Sequence, residues 1–170
     1  MSLPDAETLL TKLADTMRPQ VQADTLLIGI RTGGVWVAER LNRLLGMTQR
    51  IGIIDVSFYR DDFQSRGLHA SVKPSQIPFS VDDAEVVLVD DVLYTGRTIR
   101  AALNQLFDYG RPRRVRLAAL VDRGGRELPV APQFVGAQVA VGANEQIELE
   151  RDEAGRLALT LSARPSVERK

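Results

Sequence analysis

The sequence contains no cysteine, which excludes disulfides, thiolate metal sites and a cysteine nucleophile. Histidine is nearly absent too: His69 is the single one, and it falls in a charged loop, where a lone histidine is more often incidental than catalytic. Neither sign of charge is in excess, with 22 Lys and Arg against 22 Asp and Glu. That argues against a bulk electrostatic nucleic-acid binder, although a local patch can sit inside a neutral total. No apolar run approaches the ~20 residues that span a bilayer, so no membrane partner is expected. Met1-Ser2-Leu3-Pro4-Asp5 lacks the basic and apolar regions of a signal peptide, and the expected location is the cytoplasm. No internal repeat or low-complexity tract is found. What is present, 44% hydrophobic and 26% charged residues in a chain of 170, fits one globular domain able to hide roughly 70% of its unfolded surface.

Ser2-Leu3-Pro4-Asp5 has the form of a helix start, with a hydroxyl cap and an acidic first turn. Ala6, Leu9, Leu10, Leu13 and Met17 then recur at helical spacing up to Arg18-Pro19. Thr25 to Ile30 is a short apolar strand, Arg31-Thr32-Gly33-Gly34 a glycine turn, and Val35, Ala38, Leu41 and Leu45 the buried stripe of a helix that Gly46 ends. Ile51 to Phe58 reads as another buried strand. Tyr59 to Pro78 is charged and aperiodic, so it is either a functional lid or a segment holding a hairpin. Glu85-Val86-Val87-Leu88-Val89 has the continuous apolar character of a strand covered on both faces. After Asp90-Asp91 comes a helix with Ile99, Ala102, Leu103, Leu106 and Phe107 on one face, ended by Gly110 and Pro112. Val115 to Val121 is the next strand. This alternation predicts an α/β fold: a mainly parallel central sheet flanked by helices. Beyond Asp122 the helices vanish. Phe134 to Val141 and Gln146 to Glu150 read as extended, and Leu157, Leu159 and Leu161 alternate across a turn at Asp152-Glu153-Ala154-Gly155, as a β-hairpin would. The expected organisation is a single domain over 1–170, its core at about 20–121 and a small β-rich hood with the hairpin at about 122–163.

In an open parallel sheet, ligands bind beyond the carboxyl ends of the strands. Adjacent carboxylates at such an end, Asp90 and Asp91, repel each other unless a cation or a hydroxyl-rich ligand lies between them. Sugar hydroxyls or hydrated Mg²⁺ suit them; a strand end with one Asp capping the next helix is the plainer reading. Thr95-Gly96-Arg97-Thr98 opens a helix whose free N–H groups and dipole attract an anion. Carboxylates for ribose hydroxyls followed within one turn by a phosphate nest describe a ribose 5-phosphate site. At the other strand end, Arg31, Thr32 and Gly33 could grip a diphosphate through backbone amides and one guanidinium. Alternatively they form a tight turn with a solvent-facing Arg.

The run from Val86 to Thr98 resembles the phosphoribosyl-pyrophosphate (PRPP) signature of the type I phosphoribosyltransferases. Phe58-Tyr59-Arg60-Asp61-Asp62, Gly110-Arg111-Pro112 and Leu120-Val121-Asp122-Arg123-Gly124, with Arg126-Glu127-Leu128-Pro129, resemble the PyrR family, bifunctional pyrimidine operon regulators with uracil phosphoribosyltransferase activity. The resemblance implies the type I phosphoribosyltransferase fold and the reaction uracil + PRPP → UMP + pyrophosphate, with Mg²⁺ accompanying PRPP. It implies PRPP contacts from Arg31, Thr32, Gly33, Asp90, Asp91, Thr95, Gly96, Arg97 and Thr98, with Asp90 and Asp91 as the catalytic pair and also as candidates to hold Mg²⁺. It assigns nucleobase or nucleotide contacts to Tyr94, Arg123 and Ile147. Arg60, Asp61 and Lys73 belong to the loop that in the family folds over PRPP and excludes water from the activated sugar. The related 6-oxopurine enzymes carry an Asp where this chain has Tyr94, and a phenol with pKa about 10 cannot replace that acid, which agrees with a pyrimidine acceptor. Trp36 is most simply a packing residue. A homodimer or higher homo-oligomer is a further implication of the resemblance.

The regulators of the family bind messenger RNA through a basic face, and here the resemblance breaks. Their Arg-Gly-His-Arg-Glu run reads Arg123-Gly124-Gly125-Arg126-Glu127, and their Gly-Lys-Asn run reads Gly136-Ala137-Gln138. The helix Ala6 to Met17 also lacks their histidine. Cation–phosphate contacts dominate RNA affinity, so these losses count against an RNA partner. Arg111, Arg113, Arg114 and Arg116 count for one, unless they are a solvated helix-end loop. Two functions therefore stand at this stage, a uracil phosphoribosyltransferase and a uridine-nucleotide-responsive RNA-binding attenuator. A transferase for another base, hypoxanthine or orotate, is a third.

Overall fold

The computed structural model describes residues 2–57 and 75–165. Helix α1 (Ala6–Met17) is followed by β1 (Leu26–Ile30), α2 (Gly33–Leu44), β2 (Gly52–Ile54), β3 (Glu85–Leu93), α3 (Arg97–Asp108), β4 (Arg114–Asp122), β5 (Phe134–Gln138), β6 (Glu145–Arg151) and β7 (Leu157–Ala163). β1 to β5 form one sheet in the order β2-β1-β3-β4-β5, every neighbouring pair parallel. β6 and β7 form a separate antiparallel hairpin. Among the described residues no helix is long and apolar enough to cross a membrane.

Strand alternation sends successive side chains to opposite faces of the sheet, and each face has its own core. Leu27, Val87, Val89 and Leu120 pack with Leu10, Leu13 and Met17 of α1 and Val37, Ala38 and Leu41 of α2. Leu26, Ile28, Ile30, Leu88 and Ala119 pack on the other side with Ile99, Ala102 and Leu106 of α3. The buried stripe of α3 is narrower than the spacing suggested: Leu103 is only partly buried and Phe107 is 42% exposed. The cap of α1 is the Asp5 carboxylate rather than a Ser2 hydroxyl, because Asp5 sits three residues before the Thr8 N–H, which donates to it at 2.9 Å. Of the strand expected over Ile51 to Phe58, Gly52–Ile54 forms among the described residues; Phe58 lies outside them.

β5 changes the picture of the C-terminal third. It pairs with β4 from Ala118↔Phe134 to Asp122↔Gln138, so the central sheet runs on past the boundary that the sequence placed near 122. Parallel neighbours usually need a crossover helix. Here residues 123–133 make the connection without helix, and so the α/β alternation looked broken. Among the described strands, only β6 and β7 stand outside the sheet. Buried Ile147, Leu149 and Leu157 seat the hairpin on the α1 side of the core, each aliphatic chain contributing roughly 1.5–3 kcal/mol. Glu7 of α1 fixes the turn: it accepts the Leu157 N–H at 2.9 Å and pairs with Arg40, whose Nη2 donates to the Gly155 carbonyl at 2.7 Å.

At the amino end of the sheet, buried Glu85 pairs with both Arg114 (2.7 Å) and Arg116. Burial pushes its carboxyl up, but the two guanidinium groups outweigh that and hold it below the ordinary range.

Candidate active site

The carboxyl ends of β1 and β3 lie side by side in the sheet, which brings two turns into contact. The first is the β1–α2 turn. Its Arg31–Thr32 peptide is cis. A Cβ on Gly33 would overlap the Asp91 carboxylate, so with Asp91 placed as it is the turn has room only for glycine. Asp90 is buried and Asp91 half-buried, and the Asp91 N–H donates to Asp90 Oδ1 at 3.1 Å. The second is the β3–α3 turn, which passes through left-handed Gly96 (φ +93°) into the first turn of α3. Thr95 is buried, its Oγ accepts the Arg97 N–H at 3.3 Å, and its carbonyl accepts the N–H groups of Glu127 and Leu128 at 2.9 and 3.1 Å. The 123–133 connection is thereby tied to the turn.

Over these turns stands the hairpin. Tyr94, Arg123, Gln146, Ile147, Glu148, Leu149 and Arg164 form the far wall of a cavity of about 410 Å³ whose near wall includes Thr32, Gly33, Asp90, Asp91, Thr95, Gly96 and Thr98. That volume is within the ~300–1,000 Å³ usual for small-molecule sites. Arg123 stacks on the Tyr94 ring at 4.0 Å and donates to the Glu145 carbonyl at 2.8 Å. Burial in the wall lowers its pKa, as does the charge of Arg164, against the opposing effects of Tyr94 and Glu145. Below Arg123, Asp122 bonds Arg126 at 2.6 Å. Burial raises the Asp122 carboxyl, but Arg126 and the Gly124 N–H outweigh it and hold it low. Arg126 also donates to the Tyr94 carbonyl at 2.8 Å, fixing the backbone between the two acids and the α3 turn.

Ten residues singled out in the sequence line this one cavity: Thr32, Gly33, Asp90, Asp91, Tyr94, Thr95, Gly96, Thr98, Arg123 and Ile147. Two are adjacent but do not line it. Arg31 turns its Nε toward buried Asp55 at 3.6 Å, and the Arg97 side chain bonds Glu127 at 2.7–2.8 Å. Arg60, Asp61 and Lys73, with Asp62 and His69, lie outside the described residues. Sequence reasoning missed Gln146, Glu148 and Arg164; it read Trp36 as packing, and Trp36 does pack against the core but lines the cavity as well. Its place on the first turn of α2, directly after a glycine turn at a strand's carboxyl end, was a usable signal. Arg164 follows β7 and had none.

The model of the phosphoribosyl transferase domain matches residues 3–150, and the chain belongs to that family. Its place within the family is with the PyrR proteins. It is 50% identical over 153 residues to the Bifunctional protein PyrR of Pseudomonas aeruginosa, covering 88% of this chain and 90% of that one. To the Bifunctional protein PyrR of Nitrosococcus oceani it is 53% identical over 143 residues, covering 83% and 81%. Among solved structures, a hypoxanthine phosphoribosyltransferase from Trypanosoma cruzi superposes with a TM-score of 0.66 at 22% identity, over 96% of this chain and 94% of that one. A hypoxanthine-guanine phosphoribosyltransferase from Bacillus anthracis gives 0.65 at 20% identity, over 82% and 83%. At such identities the likeness concerns the fold, which is the type I phosphoribosyltransferase fold expected from the sequence.

Proposed function

We propose that this chain transfers the 5-phosphoribosyl group of PRPP to uracil, giving UMP and pyrophosphate. The observation that carries the reading is the single cavity in which Asp90, Asp91 and the amino end of α3 face the β1–α2 turn on one side and Tyr94, Arg123 and Ile147 on the other. Asp90 and Asp91 take the ribose hydroxyls. The amino end of α3 from Thr95 to Thr98, with its helix dipole and threonine hydroxyls, takes the 5-phosphate; the Arg97 side chain is engaged by Glu127, so Arg97 takes part only through its place in this turn. Thr32, Gly33 and the Arg31 backbone bind the departing pyrophosphate, while the Arg31 guanidinium is turned toward Asp55. Arg60, Asp61 and Lys73 are assigned to covering PRPP by resemblance alone, as is assembly into a homodimer.

Substitution at C1′ passes through an oxocarbenium-like state, so these groups work mainly by positioning and by stabilising charge. No group of three or more metal-ligating side chains occurs among the described residues. Two carboxylates beside a phosphate site nevertheless fit Mg²⁺, which keeps several waters and binds through one or two carboxylates plus substrate phosphates. Asp90 and Asp91 would hold it, and when bound it neutralises charge on the pyrophosphate.

Tyr94, in the place of the purine enzymes' Asp, supports a pyrimidine acceptor. The basic run supports an RNA partner less than its sequence suggested, because Arg114 and Arg116 both pair with Glu85. Incubation with PRPP, Mg²⁺ and a panel of uracil, cytosine, hypoxanthine and orotate tests the proposal. UMP should be the product; a purine nucleotide with uracil inert would overturn it.

A further inference from the structure

Arg164 lies beyond the stretch matched by the family model and outside the binding roles assigned above. Its backbone N–H donates to the Asn144 carbonyl at 2.7 Å, which closes the open end of the β6–β7 hairpin. Its guanidinium then turns back over the cavity, with Nη1 3.0 Å from Tyr94 Oη and Cζ 5.1 Å from the ring centroid. Tyr94 thus contacts two cations, Arg123 and Arg164.

The direction of the Arg164–Tyr94 bond has a chemical consequence. A guanidinium has donors only, whereas a phenol can donate and accept. The Tyr94 oxygen is therefore the acceptor, and its own proton is left for a second partner. Arg123 and Arg164 add further donors to this wall. The Glu148 carboxylate, the acceptor that would suit an amino group, is already engaged by Gln146 Nε2 at 3.1 Å and Ser162 Oγ at 3.2 Å.

We propose that Arg164 is a positioning residue for the nucleobase. By occupying the acceptor side of Tyr94 Oη it presents the phenolic O–H to the cavity, so the site takes a base with a carbonyl oxygen at that edge and rejects one with an amino group. The inference rests on the transferase reading and specifies the base: uracil over cytosine. Sites built around a hydrogen bond discriminate strongly, because the wrong partner leaves a polar group unpaired.

The test is calorimetric titration of the full chain with UMP and with CMP, for wild type, Arg164→Ala, Arg164→Lys, Tyr94→Phe and the Arg164→Ala/Tyr94→Phe pair. Wild type should favour UMP. Arg164→Ala and Tyr94→Phe should each weaken UMP roughly tenfold while moving CMP less than about twofold, as loss of one hydrogen bond predicts. Arg164→Lys, which keeps a donor, should restore part of the loss. The double variant should be no weaker than Tyr94→Phe alone, since the two act as one unit. Equal losses for both nucleotides, additive losses in the double variant, or an unchanged UMP preference in Arg164→Ala would overturn the proposal and leave the transferase reading intact. Should Arg164→Ala fail to fold, Tyr94→Phe decides by the same UMP-against-CMP criterion. A wild type that binds neither PRPP nor UMP would remove the transferase reading together with this inference.

Discussion

Gly33 and Asp91 occupy adjoining space at the carboxyl edge of the sheet, so close that a methyl group on Gly33 would coincide with the Asp91 carboxylate. Two segments almost sixty residues apart are therefore fitted to each other at the carboxyl-terminal part of β3, which carries the acids. Gly33→Ala should displace Asp91 or push the β1–α2 turn away. Overpacking of this kind costs about 1–3 kcal/mol. PRPP binding should fall much further than stability, because both displaced groups face the cavity. Urea denaturation and PRPP titration check this; a variant with wild-type affinity would show that the contact is packing alone.

Glu85 should contribute to the acid limb of stability, beside Asp122, which is also held low. Its folded carboxyl lies below the ordinary value of 4.5 because two guanidiniums outweigh burial. The unfolded state then binds more protons as pH falls through that range, so stability rises with pH there and is fully present above about 4.5. Replacement by Gln should flatten the dependence of denaturation midpoint on pH between about 3 and 5. Replacement by Ala leaves Arg116, with a side chain 10% exposed, without its counter-charge. Removing one partner of a buried pair costs about 3–5 kcal/mol, and the low end is expected here because Arg114 is 57% exposed. An unaltered acid limb in the Gln variant would contradict the assignment.

By the resemblance read from the sequence, Gly125 stands in the place of a His in the family's Arg-Gly-His-Arg-Glu run. Its φ is +77°, and a Cβ there would meet Tyr94 Cε2 at 2.5 Å. Gly125→His should cost about 1–3 kcal/mol for the left-handed backbone alone and should weaken UMP binding by shifting Tyr94. Thermal melts and UMP titration measure both effects. A His variant as stable as wild type, with unchanged UMP affinity, would show that the loop accepts the regulators' residue.

Much of the near wall of the site was legible because it is built locally. The apolar strand ending in Asp90-Asp91, the glycine turn and the one-faced helix α3 are contiguous, and the same logic exposed Arg31 to Gly34. The far wall was harder. Gln146, Glu148 and Arg164 reach the cavity only because the hairpin packs on the α1 side of the sheet, and a local pattern carries no record of that approach. Arg97 shows a different limit. Its position at the amino end of α3 was readable, but its side chain bonds Glu127, thirty positions away, and that pairing depends on the 123–133 connection folding back onto Thr95. The same helix-free connection concealed β5 as the fifth strand of the sheet.

The proposed site requires the two acids and the amino end of α3 to act together on one phosphoribosyl group, and calorimetric titration of PRPP with Mg²⁺ into wild type and Asp91→Asn measures this directly. Wild type should release heat on binding. The Asn variant is expected to keep its melting temperature, within the roughly 0.5 kcal/mol typical of a partly exposed substitution, and to lose PRPP affinity and about 100-fold or more of its turnover. Equal affinity and turnover in the two proteins, or no binding by wild type, would contradict the account.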